Sequence, residues 1–298
     1  MTDCASAQVI YLGGLGRSGT TLLERLLGEL PGVVPLGEVV HLWDRGVLAE
    51  ELCGCGSAFP ACPFWRQVGE RAFGGWRDEL AERMILLRGR IDRTRRIARI
   101  EHPDLPEYAR AYQRLYDAAG APVVVDSSKH ASLACCLLAS GVDLRVVHVV
   151  RDPRAVAHSW GRTVPRPEDG RPMTRWGPAR TALHWSAQNT ALELLPGRGA
   201  RVTRVRYEDL LARPRETLRT LAVRLGLPEP ELPFLEGRTA WLGPSHTASG
   251  NPMRFHVGRV ELRRDDAWRS ALPDAHRRVV NALTWPLRAR YGYWGVVR

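Results

Sequence analysis

Lysine is all but missing from this chain: of its 43 basic residues, every one except Lys129 is arginine. The bias leaves a formal charge of +11, yet there is no Lys/Arg-rich tail and no basic stripe interleaved with aromatics, the usual marks of a nucleic-acid surface. A small polyanionic ligand fits the balance better, and no nucleic-acid partner is expected. Also missing is any apolar run near the ~20 residues that cross a bilayer, and the N-terminus lacks a basic region followed by a long apolar core. The expectation is a cytoplasmic protein without a membrane span. No internal repeat and no low-complexity linker divides the 298 residues, and an apolar content of 44% is enough for a full core. One domain over 1–298 is therefore expected, and nothing specifies an oligomeric state.

Cysteine is scarce and unevenly placed. Cys135 and Cys136 fall in an apolar helical stretch, where core packing accounts for them. Cys53, Cys55 and Cys62 cluster in CGCGSAFPACPFW. Three readings stay open for that cluster. One is zinc, for which only three ligands are local and His41 is a candidate fourth. The others are a disulfide, disfavoured in an unsecreted protein, and plain thiols in a compact loop.

What the chain does have is a phosphate cradle. The apolar run Val9-Ile10-Tyr11-Leu12 reads as a strand, and Gly13 to Leu23 (GGLGRSGTTLL) as a Gly-rich turn opening a helix that stops at Pro31-Gly32. The N–H groups of such a turn and of the helix N-terminus converge on one anion. The spacing Gly14-x4-Gly19-Thr20-Thr21 is that of a nucleotide-binding P-loop with Thr20 standing where its lysine would be. That loss removes the usual contact to a terminal phosphate, although Arg17 can supply a cation.

Farther along, Val33 to Leu36 reads as a short strand that delivers Gly37-Glu38, followed by a helix through His41 to Glu51. A helical insertion over about 64–120 comes next, with one stretch from Phe64 to Glu101 and another near Glu107 to Ala119. Pro122 to Asp126 and Leu144 to Val150 are compact apolar strands, trailed by Ser127-Ser128-Lys129-His130 and by Arg151. Strands alternating with helices predict an α/β fold with a central parallel sheet flanked by helices, whose ligand crevice lies at the carboxyl ends of the strands. Arg17, Ser127 to Lys129, and Arg151 then share one rim. Asp152 and Pro153 read as N-cap and first residue of the helix carrying Ser159. The Arg151 guanidinium and the Ser159 hydroxyl can converge on one phosphate. Thr163 to Gly177 reads as a lid or acceptor-facing loop, and Gly237 to Gly258 as a long loop opening a C-terminal segment over about 237–298. Lys129 stands out because a compact ammonium can follow charge onto a bridging oxygen in a way a planar guanidinium fits less well.

The combination GRSGTTLLERLL, LGEVVHLW, VVDSSKHASLA, VVHVVRDPRAVAHSW and VRYEDLLARP, with a weaker echo in SGNPMRF, resembles sulfotransferases that use 3′-phosphoadenosine 5′-phosphosulfate (PAPS). It looks closest to the bacterial branch related to tyrosylprotein sulfotransferases, and the likeness spans about Val9 to Leu225. The resemblance implies a P-loop-like sulfotransferase fold in which Arg17, Ser18, Gly19, Thr20 and Thr21 hold the 5′-phosphosulfate. It further implies that Arg151 and Ser159 hold the 3′-phosphate, that Tyr207 lies near the adenine, and that Arg254 joins the cofactor contacts. Glu38 aligns with the general base, with His41 and His130 as rivals. Transfer from PAPS, which leaves adenosine 3′,5′-bisphosphate (PAP), requires no metal.

Two other readings compete: a P-loop kinase using ATP, with Asp126 as its Mg²⁺ ligand, and a non-catalytic nucleotide or nucleic-acid binding module. The expected acceptor bears a hydroxyl, on a small molecule or carbohydrate first and a tyrosine phenol second. Trp43, Trp65, Trp160, Trp176 and Trp185 are candidates to stack on a ring, although tryptophans at helical spacing commonly serve the core.

Overall fold

The computed structural model describes residues 6–97, 100–165 and 170–294. In chain order its first half contains strand β1 (Gln8–Gly13), helix α1 (Thr20–Leu27), β2 (Val33–Gly37), α2 (Pro63–Phe73), α3 (Asp78–Arg90), α4 (Leu105–Ala118), β3 (Val123–Lys129), α5 (Ala131–Ala139) and β4 (Leu144–Val150). The second half contains α6 (Pro153–Gly161), α7 (Pro178–Glu193), β5 (Arg201–Arg206), α8 (Tyr207–Ala212), α9 (Pro214–Arg224), β6 (Leu235–Glu236), β7 (Thr239–Leu242), β8 (Gly258–Glu261), α10 (Trp268–Ala271) and α11 (Asp274–Arg290).

Strands β1 to β5 form one parallel sheet in the order β2-β3-β1-β4-β5. Side chains alternate across a strand, so β1 feeds two cores. Val9 and Tyr11 join a layer with α4 and α5, through Tyr108, Leu115 and Leu133. Ile10 and Leu12 join a layer with α1 and α9, through Leu23, Leu26 and Leu221. Both faces are covered, which is why β3 opens on three successive valines and β4 is apolar at five of its seven positions. All eight residues of α1 are buried. Each of its leucines stabilises the fold by roughly 1.5–3 kcal/mol relative to exposure, so the loop at its N-terminus is held by core packing.

β1 is central, with β3 on one side and β4 on the other, so the chain leaves the carboxyl edge in both directions and opens a crevice there. β2 is the edge strand, a position that tolerates Pro35. Its register with β3 shifts between Pro35 and Gly37, and the shift re-aims Glu38. Ala248 closes that edge: its N–H donates to Leu36 O, and its carbonyl accepts from Glu38 N, both at 2.8 Å. The N-cap expected of α6 is present, Asp152 accepting from Arg154 N at 2.9 Å.

Several expectations need correction. Gly237 to Gly258 is not loop throughout: Thr239–Leu242 is β7 and Gly258 opens β8, which with β6 form a small antiparallel sheet, while 243–257 is irregular apart from a short turn at Pro252–Phe255. These strands are only two to four residues long, β6 turning into β7 over two residues and β7 reaching β8 across 15 or more, leaving no period for a sequence pattern to show. The helical stretch from Phe64 to Glu101 is two helices, parted at Gly74, which takes the left-handed conformation. The expected helix from His41 to Glu51 is a tight turn at Val39–His41 running into a π-helical segment, Leu42–Leu48. Lys129 does not follow β3 but ends it. Asp126, the carboxylate a kinase would need at the rim, is fully buried. Its oxygens accept from Tyr116 Oη at 2.7 Å and from Ser128 N at 2.7 Å, so it cannot reach a metal-bound phosphate.

Candidate active site

The anion cradle forms where β1 turns into α1. Arg17 sits at φ 72°, a left-handed conformation that costs energy for a residue with a Cβ and gathers at functional sites. Ser18 and Thr20 are each 1% exposed, and the Ser18 hydroxyl is buried without a hydrogen-bond partner. A buried hydroxyl left unpaired inside a Gly-rich turn fits a cradle made for an added anion. Arg17 is half-buried; its guanidinium lies 3.4 Å from Met173 Sδ and 5.6 Å from the centre of the Trp160 ring.

Glu38 and Lys129, at the ends of β2 and β3, form an ion pair in which the side chains are 14% and 12% exposed. Burial pushes the Glu38 carboxyl up, but Lys129, with His41 and Arg45 behind it, outweighs burial and holds it below the usual carboxylate range. Glu38 is therefore ionised at neutral pH. Lys129, like Arg17, has a positive φ, 71°. Its carbonyl is fixed by Gly14 N at 3.3 Å and Gln188 Nε2 at 2.5 Å. Gly37, just before Glu38, also has a positive φ, 87°, and a Cβ there would lie 2.1 Å from Ala248 O, so only glycine allows the close approach. The rival histidines flank the pair. Burial first, then Arg88, His41 and Lys129, lower the His130 pKa to about 3.

Sequence reasoning passed over Glu24. Buried on α1, it accepts from Gly37 N at 2.7 Å and from Ser127 Oγ at 2.8 Å, tying the cradle helix to the strands that carry Glu38 and Lys129. The available signal was a lone carboxylate, next to Arg25, within the leucines of TTLLERLL. Burial raises its pKa from 4.5 to about 8. Between those values the unfolded chain gives up this proton and the folded chain keeps it. Its contribution to stability is thus fully present below about pH 4.5 and is lost as pH rises through about 8. Glu24→Gln, which can keep both hydrogen bonds, should gain on wild type by several kcal/mol between about pH 5 and pH 9. Denaturant titrations at both pH values would show no such gain if Glu24 were ionised throughout.

Arg151 links the cradle to a second pocket. Its Nη1 donates to Arg17 O at 3.0 Å, its Nη2 reaches Asp265 Oδ2 at 3.4 Å, and its guanidinium lies 4.6 Å from the centre of the Tyr207 ring. That ring in turn packs on Gly19. Beside them runs a cleft lined by Arg206, Glu208, Arg264 and Trp268. Arg264 and Asp265 were missed because they stand in a charged run, ELRRDDAW, with no periodicity. Ser159 is half-buried in the last turns of α6, the helix that Arg151 precedes. Trp160 on the same helix donates to Gly16 O at 2.9 Å and stacks on Trp176 at 3.9 Å, while Trp43, Trp65 and Trp185 are core.

The structure thus brings Arg17 to Thr21, Glu38, Lys129, Arg151 and Tyr207 to one rim. Arg254 is buried, at 1% exposure, donates to Thr247 O at 3.1 Å and lies over the Phe255 ring. Of the expected lid, 166–169 fall outside the described residues; its flanks fold back on each other, with Met173 N donating to Val164 O at 2.8 Å. Among the described residues no helix is long and apolar enough to cross a membrane.

The central parallel sheet, with a Gly-rich turn on its middle strand and cations on the flanking strand ends, is an α/β fold shared with solved sulfotransferase domains. The sulfotransferase domain of an olefin synthase from Synechococcus PCC 7002 has that fold, at 20% identity and a TM-score of 0.53, with 94% of each chain covered. So has a sulfotransferase domain from the curacin biosynthetic pathway, at 15% identity and a TM-score of 0.51, covering 94% of this chain and 98% of that one. Residues 119–231, a stretch that holds Lys129, Arg151, Ser159 and Tyr207, match the model of a sulfotransferase family. No curated protein matches the chain significantly.

Proposed function

We propose that the protein transfers a sulfuryl group from PAPS to an acceptor hydroxyl by in-line displacement. The observation that carries the reading is the Glu38–Lys129 ion pair beside the cradle, a base and a cation within reach of one reacting centre. The donor supplies an activated sulfuryl group on a phosphate oxygen. Ser18, Gly19, Thr20 and Thr21 hold the 5′-phosphosulfate, with Arg17 adding charge. Arg151 and Ser159 hold the 3′-phosphate, and Tyr207 borders the adenine. Arg254 instead braces the segment behind Glu38.

Glu38 takes the acceptor's proton as the new O–S bond forms. The old S–O bond breaks, and its electron pair stays on the departing 5′-phosphate oxygen, toward which Lys129 turns its ammonium. As Lys129 follows that oxygen, Glu38 loses the charge that depresses its pKa and becomes a stronger base. A small-molecule or carbohydrate hydroxyl is the first acceptor class and a tyrosine phenol the second. Screening candidate acceptors by mass spectrometry for products heavier by one sulfuryl group would separate them.

Calorimetry tests the donor. PAP should bind more tightly than ATP, and a preference for ATP would overturn the reading. Arg151→Ala should weaken PAP roughly ten- to a hundred-fold, the worth of a charged hydrogen-bond partner, while affecting ATP little.

A further inference from the structure

The three-cysteine loop is not closed by His41. Its fourth partner is His246, 184 positions beyond Cys62 in sequence. Cys53, Cys55, Cys62 and His246 place their ligand atoms within 4.8 Å of one another. All three cysteines are free thiols, and Cys55 Sγ lies 3.8 Å from Cys62 Sγ, far beyond the roughly 2.05 Å of a disulfide. His246 Nδ1 lies 3.3 Å from Cys62 Sγ and 3.8 Å from Cys53 Sγ. A tetrahedral ion with bonds of about 2.3 Å to sulfur and 2.0–2.1 Å to nitrogen has edges of roughly 3.8 Å between sulfurs and 3.6 Å between sulfur and nitrogen. The spacings of 3.8 Å, 3.3 Å and 3.8 Å lie within about 0.3 Å of those edges, and all four atoms stay within 4.8 Å of one another.

The surroundings hold the four groups where a metal would need them. The His246 ring stacks on Phe64, centroids 5.2 Å apart and planes within 16°, and Trp65 Nε1 donates to His246 O at 2.7 Å. On the other side the loop folds into a knuckle, with Cys53 N donating to Ser57 O and Gly56 N to Cys53 O, each at 2.8 Å. Gly54 N reaches Thr247 O at 3.0 Å. A Cβ on Gly54 would lie 2.7 Å from Thr247 Oγ1 and 2.8 Å from Ser245 O, so the residue between the first two cysteines has to be glycine for the two segments to meet.

We propose that Cys53, Cys55, Cys62 and His246 bind one structural zinc ion. Three thiolates and an imidazole are a borderline-soft set that suits zinc and not the oxygen-seeking magnesium or calcium. Four protein ligands leave no open position, so the ion is structural. Binding forms three S–Zn bonds and one N–Zn bond as the thiol protons leave to solvent, with no change of oxidation state. His246 stands two residues before Ala248, whose backbone pairs with Leu36 and Glu38. The ion therefore staples the 245–250 segment to the cysteine loop and steadies the strand end carrying Glu38, a positioning role.

The test does not depend on the sulfotransfer reading. Protein purified under reducing conditions without chelator should contain about one zinc per chain by elemental analysis, released when a mercurial blocks the thiols. Cys53, Cys55 and Cys62 should resist alkylation until the metal is removed. His246→Ala should lose most of the zinc and His246→Cys should keep it. Wild-type protein with no stoichiometric zinc would overturn the proposal. So would a disulfide within the cluster by mass spectrometry, iron with acid-labile sulfide in place of zinc, or unchanged zinc in His246→Ala. Because the first measurement is made on wild type, misfolding of a variant does not rescue the idea.

Discussion

Replacing Lys129 by arginine is expected to lower turnover roughly 10²- to 10³-fold, the usual cost of losing one group that stabilises transition-state charge, while PAP affinity changes much less. The substitution keeps the charge, so it isolates shape. Lys129 is 12% exposed and in contact with Glu38, its backbone is locked by Gly14 and Gln188, and its φ is already 71°. A planar guanidinium placed there keeps its charge spread over three nitrogens and has no room to pivot from Glu38 toward a departing oxygen. Near-normal turnover in Lys129→Arg would show that any cation suffices and would remove the special role. A neutral replacement probes the same pair by pH. In Lys129→Met the burial of Glu38 is opposed by His41, Arg45 and Arg17 but no longer by its ion-pair partner, so its pKa rises. The acid limb of kcat should then move up in pH, in the direction opposite to the wild-type shift.

Glu38→Gln is expected to lower kcat roughly 10²- to 10⁴-fold, the range of a lost general base, with PAP affinity retained because the cradle and the Arg151 pocket are untouched. Wild-type Glu38 is held below its ordinary 4.5, so proton uptake that disables it belongs below that pH and activity should stay flat from there to neutrality. Single-turnover rates against pH check both points. If Glu38→Gln turned over normally and His130→Ala or His41→Ala did not, the base would be a histidine. The low His130 pKa, about 3, would keep that imidazole neutral and able to accept a proton throughout the physiological range.

The parts of the site that are continuous in sequence were legible. GGLGRSGTTLL reads as a cradle because glycine spacing and the leucines behind it are local properties. Lys129 stood out because it is the chain's single lysine. Asp152-Pro153 announced α6 for an equally local reason, a side chain capping its own helix. The strand ends carrying Arg17, Lys129 and Arg151 could be set on one rim because alternating strands and helices force a parallel sheet.

Other features depend on which distant segments meet, and no local pattern encodes that. Glu24 looks like a surface charge until the sheet buries it between Gly37 and Ser127. Asp126 looks like a rim carboxylate until α4 brings Tyr116 onto it. His246 looks unremarkable in PSHTASG until the small sheet carries it to Cys62, whereas His41, the nearer candidate in sequence, is drawn to Asp44 and Arg88 instead. The sequence by itself determined the parallel α/β architecture, the anion cradle and the lone lysine, because periodicity, turn chemistry and composition act over a few residues. Only the tertiary structure decided that Lys129 pairs with Glu38, that Glu24 is buried, and that His246 completes the cysteine cluster. Those contacts join residues tens to hundreds of positions apart, and packing of the two layers on the sheet, not any local preference, selects them.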